Sequence, residues 1–278
     1  MKSQGESNSM ERLHKVLAHA GVASRRQAEQ IILERRVKVN GQIVSELGTL
    51  VDPSRDRIQV DGETIRAENK AYIILHKPRG YLSDRDEGHG KPTALDLVAS
   101  RERLYAAGRL DANSEGLLLL TNDGELAHRL THPRYEHEKE YLALVEGKPD
   151  ERALRSMTRG VMYEGERLRA DSVRIVPHLG GIARRQHWPE AGRNETWLSI
   201  ILHEGKKREI RHMGGILGYP VKRLIRVRIG PLQLDGLPIG GWRELREDEV
   251  RQLQGKPDAR DPQRPLRTRQ IDSIHHRH

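Results

Sequence analysis

The sequence predicts an α+β protein of two domains, in which a small domain of helices and β-hairpins precedes a larger one built on a mixed, largely antiparallel sheet. Its 278 residues exceed the length that one hydrophobic core usually serves, which favours two domains. Near the start, apolar residues recur at helical spacing and then flank an Asn-Gly turn, which indicates helices followed by a hairpin. Further on, predicted strands and helices do not alternate strictly, which disfavours a doubly wound sheet.

The first domain is predicted over residues 11–67. Its first helix is indicated by Gly21 at the position of a C-terminal cap and by apolar residues at helical spacing, namely Leu13, Val16, Leu17 and Ala20. A second helix begins at Ser24 and Gln27, which have the spacing of a capping box. Asn40-Gly41 lies between short apolar runs and therefore predicts a two-residue hairpin turn.

Basic side chains are concentrated around the second helix and the strand after it. They are Arg25, Arg26, Arg35, Arg36 and Lys38. Contact with phosphate is one interpretation of this cluster. The solvated face of an amphipathic helix is the other, and it describes most charge runs. The charges alone leave both interpretations open.

The second domain is predicted over residues 71–253, after a polar link at residues 66–71. Apolar runs predict strands at residues 72–75, 117–120, 141–145, 197–202 and 225–229. Helices are predicted at residues 125–130, 151–157 and 207–217. Asp150 has the position of an N-cap for the second of these helices, and Gly218 closes the third.

Two stretches lack the periodicity of helices and strands. Residues 178–195 are Gly-rich and predict a mobile connection. Residues 254–278 form a polar, basic tail that is expected to be disordered. The closing His275, His276 and His278 could bind a metal, but a solvated terminal tract is the ordinary interpretation, and no metal site is predicted.

Charge and composition limit the possible partners and chemistry. The formal net charge of +9 and the isoelectric point of about 9.8 favour nucleic acid as a partner. No stretch approaches the roughly 20 apolar residues of a membrane span, so no membrane insertion is predicted, and a cytoplasmic location is expected. The absence of cysteine excludes disulfides, zinc ribbons, iron–sulfur clusters and a thiol nucleophile.

The most informative stretch is AAGRLDANSEGLLLLTNDGELAHRL at residues 106–130. It places Asp111 in a turn-forming segment directly before an apolar strand, so a carboxylate is presented at a sheet edge. By itself, an aspartate in a loop can equally be a turn or cap residue that bonds the local backbone.

Two parts of the chain resemble known families. KVLAHAGVASRRQAEQIILERRVKVNG at residues 15–41 resembles the alpha-L RNA-binding module shared by a small-subunit ribosomal protein and several RNA-modifying enzymes. GRLDANSEGLLLLTNDGELAHRLTHP at residues 108–133 resembles the signature of the pseudouridine synthases, in the branch that includes ribosomal small-subunit synthase A and large-subunit synthases B, E and F. Further motifs lie in the family's order: HKPRGYL at 76–82, KEYL at 139–142, EGKKREIRHM at 204–213 and RLIRVRIGPL at 223–232.

The resemblance implies an activity and a set of catalytic residues. The reaction is the isomerisation of uridine to pseudouridine in ribosomal RNA, with no cofactor. Asp111 stands at the position of the catalytic carboxylate, and Arg211 at that of the basic residue that would keep it charged. Tyr141 matches the aromatic residue that lies against the target base. Whether the carboxylate attacks the sugar, attacks the base or takes a sugar proton stays open.

Further residues are candidates for substrate contact. Arg109 resembles the arginine that helps to hold the base out of its stack. Lys77 could position a phosphate or be a solvated surface residue, and Leu224 or Ile225 could line the uracil pocket or pack in the core. The basic motif adds two candidates for RNA contact, Lys207 and Arg208.

The alternative to an enzyme is an RNA-binding or ribosome-assembly protein that keeps the fold without turnover. Asp111, Tyr141 and Arg211 together favour the enzyme. The overall similarity, including LTHPRYEHEKEYL at residues 130–142, favours large-subunit over small-subunit rRNA as the target. Gly214-Gly215 departs from the family pattern, since glycine inside a helix costs about 1 kcal/mol relative to alanine. A monomer without an obligate protein partner is expected.

Overall fold

A computed structural model describes residues 10–66, 68–84, 90–135, 137–180, 186–234 and 236–255. The predicted tail lies outside these residues from position 256 onward, and so does the central part of the predicted mobile connection, residues 181–185. In the described part of the chain, none of the helices has the length and apolar character needed to cross a bilayer.

The N-terminal domain packs two helices against short strands. Its elements are β1 (Glu11–Arg12), α1 (Leu13–His19), α2 (Arg25–Leu33), β2 (Val37–Val39), β3 (Gln42–Val44), β4 (Leu50–Val51), β5 (Ile58–Val60) and β6 (Glu63–Thr64). The four-stranded sheet has the order β3-β2-β5-β6, and β1 pairs with β4. Leu17, Ala28 and Val37 are fully buried in the core between helices and sheet.

The local signals predicted for this domain are confirmed. The main-chain N–H of Gln27 donates to Ser24 Oγ at 3.3 Å, and the main-chain N–H of Ser24 donates to Gln27 Oε1 at 3.1 Å, which completes the capping box. Asn40 and Gly41 have φ of 52° and 84°, the left-handed conformation that a two-residue hairpin turn requires.

The C-terminal domain is built on a nine-stranded sheet. Its strands and helices are β7 (Tyr72–Lys77), β8 (Tyr105–Ala107), β9 (Glu115–Thr121), α3 (Gly124–Thr131), β10 (Lys139–Glu146), α4 (Glu151–Arg159), β11 (Val161–Tyr163), β12 (Glu166–Leu168), β13 (Ser172–Ile175), β14 (Glu195–Leu202), α5 (Glu209–Ile216), β15 (Val221–Ile229), β16 (Leu232–Gln233), β17 (Trp242–Glu244) and α6 (Glu247–Gln254). The sheet order is β13-β14-β10-β15-β9-β7-β17, with β16 added beside β15 and β8 beside β9.

The sheet is mixed and largely antiparallel, as predicted. Among the described strands, β9 and β15 form its parallel pair, and the other pairs in this sheet are antiparallel. Gly116 lies in the parallel pair opposite Arg226. A Cβ atom at Gly116 would meet the Arg226 carbonyl oxygen at 2.3 Å, so only glycine allows the two backbones to approach this closely.

Both faces of the sheet are covered, which explains why its strands are continuous apolar runs. Along β9, Leu118 and Leu120 belong to the core on one face, whereas Leu117 and Leu119 belong to the core on the other. The first face also carries Tyr141 of β10. The strand period of two thus decides which side chains can reach a site on that face.

Asn122, at the end of β9, holds the link between the two domains. Its side-chain N–H donates to the Asn69 carbonyl oxygen at 2.8 Å, and its side-chain oxygen accepts from the main-chain N–H of Ala71 at 2.8 Å. Next to it, the Lys70 ammonium lies 3.0 Å from the Asp123 carboxylate. These bonds fix the polar link against the larger domain.

Two helices differ from the prediction. The helix expected from residue 207 begins at Glu209 because Arg208 has a left-handed backbone, with φ of 55°. Helix α6 was not predicted, since its one fully buried residue, Leu253, gives the sequence little apolar periodicity. The helix expected to start behind Asp150 is confirmed, and the Asp150 carboxylate accepts from the main-chain N–H of Ala153 at 2.8 Å.

Candidate active site

The turn that carries Asp111 lies between β8 and β9. The main-chain carbonyl of Asp111 accepts from the main-chain N–H of Ser114 at 2.9 Å, and the carbonyl of Ala112 accepts from Gly80 N–H at 2.7 Å. Buried Ser83 holds the preceding residue, since its hydroxyl donates to the Leu110 carbonyl at 2.7 Å and accepts from the Leu110 N–H at 2.8 Å. Main-chain hydrogen bonds and the Ser83 hydroxyl therefore fix the backbone around Asp111, and the Asp111 side chain takes no part in this.

The Asp111 carboxylate makes no hydrogen bond to the residues that the structure describes. Among the described cations, Arg208 lies within 4.0 Å of the carboxylate, with its Nη1 4.0 Å from Oδ2, and 32% of the Asp111 side chain is exposed. An aspartate that served the turn would bond the local backbone through its carboxylate. This arrangement contradicts the interpretation of Asp111 as a turn or cap residue and leaves its carboxylate available.

Arg211 braces the Asp111 turn and does not form an ion pair with the carboxylate. Its Nη2 donates to the Asn113 carbonyl at 2.9 Å and to Ser114 Oγ at 3.3 Å, and its Nη1 donates to the Val221 carbonyl at 3.0 Å. Burial lowers the pKa of Arg211, Arg208 lowers it further, and the charge of Asp111 opposes both effects. Arg211 therefore lies near Asp111 but joins α5 to the turn and to β15.

A cleft of about 700 Å³ opens beside Asp111 on the face of the sheet that carries Tyr141. Tyr141 and Leu224 line it together with Asp111 and Arg109, so the structure brings these four predicted residues together. Tyr141 is 8% exposed, and its hydroxyl has no hydrogen-bond partner among the described residues. A ring with an unused hydroxyl suits a planar base that can stack and hydrogen-bond.

Two candidate substrate contacts, Lys77 and Ile225, do not line the cleft. Lys77 is fully buried, and its ammonium donates to the carbonyls of Pro78 at 3.0 Å and Tyr81 at 2.7 Å, so it holds a loop and does not face solvent. Ile225 packs in the core on the opposite face of the sheet from Leu224. The strand period of two places only one of these neighbours at the cleft.

Lys139 and Arg226 are cations of the cleft that the sequence analysis did not identify. Lys139 and Arg226 both line it, and Arg226 is only 3% exposed. Burial, and then the charge of Arg226, lower the pKa of Lys139 to about 8. Lys139 belongs to the KEYL motif two residues before Tyr141, and this spacing along a strand could have identified it.

The predicted RNA-binding residues are on the surface. Lys207 and Arg208 are exposed at the cleft. In the N-terminal domain all the candidates are exposed: Arg25, Arg26, Arg35, Arg36 and Lys38. Arg36 differs from the others because it is paired with Asp61 at 2.6 Å and Glu34 at 3.1 Å, so part of its charge is already neutralised within the domain.

A close contact with the Tyr219 carbonyl explains why position 214 in α5 is glycine. A Cβ atom there would meet the Tyr219 carbonyl oxygen at 2.6 Å, whereas nothing lies within 4 Å of a Cβ atom at Gly215. The close contact fixes α5, and with it Arg211, against the start of β15. The unusual glycine pair therefore does not argue against the helix.

The larger domain matches a known family. Residues 71–214, about half of the chain, match the family described as RNA pseudouridylate synthase. The chain belongs to this family. Asp111, Tyr141 and Arg211 lie within the matched region of this pseudouridylate synthase. Residues 11–58 match the S4 domain, so the enzyme carries an RNA-binding type of domain in front of its catalytic domain.

The similarity of this pseudouridylate synthase to individual relatives extends over nearly the whole length of each relative. The chain is 46% identical over 244 residues to an uncharacterised RNA pseudouridine synthase of Aquifex aeolicus (strain VF5), which covers 87% of this chain and 93% of the relative. It is 40% identical over 250 residues to ribosomal large subunit pseudouridine synthase B of Bacillus subtilis (strain 168), covering 90% and 98%. A crystal structure of a pseudouridylate synthase matches with a TM-score of 0.58 and 28% identity, covering 87% of this chain and 99% of the other.

Proposed function

We propose that the chain converts one uridine of large-subunit ribosomal RNA to pseudouridine, with Asp111 as the catalytic carboxylate. The observation that carries this proposal is the Asp111 carboxylate, which is held at the cleft by a rigid turn and makes no hydrogen bond among the described residues. A relative that is 40% identical over most of both chains is a large-subunit synthase B, and this supports the choice of RNA.

The cleft has the parts that the reaction needs. A stacked uridine has to leave the RNA helix before its glycosidic bond can be reached. Tyr141 offers a ring face and a hydroxyl to the extruded base, and Leu224 offers an apolar wall. Exposed Arg109 lies at the opening of the cleft, where it can fill the space that the extruded base leaves in the RNA helix. Asp111 then acts on the nucleotide while Arg211 keeps its turn in place.

The N-terminal domain, in this proposal, holds the RNA through its exposed basic side chains. Arg25, Arg26, Arg35 and Lys38 have no carboxylate within 4.0 Å in the part of the chain that the structure describes. Phosphate contacts release counterions, so each one steepens the dependence of affinity on salt. Removal of residues 1–67 is expected to weaken RNA binding and flatten this dependence. Unchanged affinity and salt slope would remove the domain from the binding surface.

The direct test is a map of pseudouridine after incubation with unmodified RNA. Purified protein is incubated separately with large-subunit and small-subunit rRNA, and the modified positions are located by chemical probing. One new pseudouridine in large-subunit RNA is expected. Modification of small-subunit RNA alone would correct the target, and binding to either RNA without modification would favour the non-catalytic alternative.

A further inference from the structure

Two cations share the face of the sheet that carries Tyr141. Lys139 and Tyr141 are two residues apart on β10, so both side chains point to the same face. Arg226 of β15 is the register partner of Tyr141 on the neighbouring strand. All three line the cleft that contains Asp111. A base resting against Tyr141 would therefore have both cations beside it.

Each cation has an N–H donor that no residue in the described part of the chain accepts. The Lys139 ammonium has three N–H groups, of which two are used, by the carbonyls of His137 and His203, both at 3.2 Å. Arg226 donates through Nε to the Leu117 carbonyl at 2.8 Å and through Nη1 to the Arg109 carbonyl at 3.4 Å. Its buried Nη2 has no hydrogen-bond partner among the described residues. Buried donors are rarely left unpaired, and because Arg226 also lines the cleft, this donor is placed to meet a bound base.

Their charges also lack a partner. No carboxylate lies within 4.0 Å of Lys139 or Arg226 among the described residues. Glu209 of α5 is the nearby acid that favours the charged form of Lys139, but burial raises the pKa of Glu209 itself. Next to Lys139, burial lowers the pKa of His137, so this imidazole stays neutral. Arg226 is a buried positive charge and Lys139 a partly buried one. Without a counter-charge their burial is costly, and negative charge on a substrate would reduce that cost.

We propose that Lys139 and Arg226 bind the carbonyl oxygens of the target uracil and stabilise the negative charge that the base carries when it separates from the sugar. This inference rests on the proposed function and adds two catalytic residues to Asp111 and Tyr141, whereas Arg211 positions the Asp111 turn. Hydrogen-bond donors that are already in place where charge develops lower the barrier because they need no reorganisation during the reaction.

The step is balanced within the substrate. When the bond between sugar C1′ and base N1 breaks, both electrons stay with the uracil, and the charge spreads onto its two carbonyl oxygens. The base turns, an electron pair at C5 forms the new bond to C1′, and C5 loses a proton while N1 gains one. No oxidant or second substrate is needed. The carbonyl oxygens carry this charge only after the C1′–N1 bond has broken and before the C1′–C5 bond has formed. Lys139 and Arg226 act in this interval.

The test compares two leaving groups. RNA is prepared with uridine or 5-fluorouridine at the target position, and cleavage of the bond between C1′ and N1 is followed in single turnover. This cleavage is the step common to both bases, because C5 of the fluorinated base has no proton to lose. Fluorine withdraws electrons, so the negative charge on the fluorinated base needs less stabilisation by the protein. Lys139→Met is expected to slow the reaction of uridine by about 100-fold, which is the range for the loss of one such donor. It should slow the reaction of 5-fluorouridine by about tenfold or less. Lys139→Arg keeps the charge and should recover most of the rate.

The controls separate this role from folding and binding. Lys222→Met makes the same change at an exposed lysine of β15 that pairs with Glu195 at 2.9 Å, and it should leave both rates unchanged. RNA affinity of Lys139→Met should stay within about threefold of wild type. If Lys139→Met does not fold, Arg226→Lys keeps the charge but withdraws the donor, and it should show the same difference between the two bases.

The outcomes distinguish this inference from the proposed function. Wild-type protein that forms no pseudouridine would overturn the proposed function, and the inference with it. An active wild type whose Lys139→Met variant slows both substrates equally, or loses affinity in parallel with rate, would overturn the inference alone.

Discussion

Replacement of Asp111 with Asn separates its catalytic role from any role in the fold. The change removes one charge and keeps the size of the side chain. The structural loss is confined to the Arg208 contact at 4.0 Å, in which 42% of the Arg208 side chain and 32% of the Asp111 side chain are exposed. Such pairs contribute about 0–1 kcal/mol. Because the turn hydrogen bond uses the main-chain carbonyl of Asp111, the free energy of unfolding should fall by at most about 1 kcal/mol.

The loss of activity should be far larger. Each of the routes open to the carboxylate needs its negative charge, so conversion of uridine should slow by at least about 10³-fold, which corresponds to about 4 kcal/mol of barrier. Single-turnover conversion of the target RNA measures this loss. Chemical denaturation of the same preparation measures stability, and RNA affinity should be close to that of wild type.

Asp123→Asn is the matched control, twelve residues along the chain. The Asp123 carboxylate is buried, accepts from Tyr72 at 2.8 Å, pairs with Lys70 at 3.0 Å and caps α3 by accepting from Leu126 N–H at 3.2 Å. This variant should lose about 1–3 kcal/mol of stability and keep its activity in the folded fraction. The assignment of Asp111 is falsified if its folded Asn variant converts uridine at a rate close to wild type. Loss of folding would instead make Asp111 a structural residue.

Three further predictions concern Arg211, the glycine pair and Lys139. Arg211→Ala should cost roughly 2–4 kcal/mol of stability because it removes the hydrogen bonds to Asn113, Ser114 and Val221. It should also slow the reaction of bound RNA, whereas a loss of RNA affinity with an unchanged rate would make Arg211 a binding residue. Gly215→Ala should raise the unfolding free energy by up to about 1 kcal/mol, and Gly214→Ala should lower it by roughly 1–3 kcal/mol because its Cβ atom meets the Tyr219 carbonyl; equal shifts in denaturation would contradict this. The reaction rate should fall as pH rises through about 8, the pKa of Lys139, and Lys139→Arg should extend activity to higher pH. Because the pKa of Lys139 is about 8 in the folded chain and 10.5 in the unfolded chain, its titration adds stability between these two pH values. A melting temperature that does not fall over this range would therefore show that the loss of rate is not caused by unfolding.

Much of the fold could be predicted because its signals are local. The capping box at Ser24, the hairpin turn at Asn40-Gly41 and the cap at Asp150 each depend on bonds between residues a few positions apart. The apolar runs of the sheet could be recognised because burial on both faces leaves few polar positions in them. The position of Asp111 before β9 was likewise visible. Short elements such as α6 carry too few buried residues for periodicity to identify them.

The partners of the charged side chains were decided only by the tertiary structure. Arg211 bonds Asn113, which is 98 positions away in sequence, and no local pattern indicates that bond. Lys77 was predicted at the surface, but the loop after β7 folds back and uses its ammonium. Leu224 and Ile225 are equally apolar, and only the packing of β15 decides which of them faces the cleft. Sequence alone determined the two domains, the mixed sheet and the presence of an aspartate at its edge. Long-range contacts decided which cations lie in the cleft with that aspartate. The partner of a charged side chain depends on which groups the folded chain brings within a few ångströms of it.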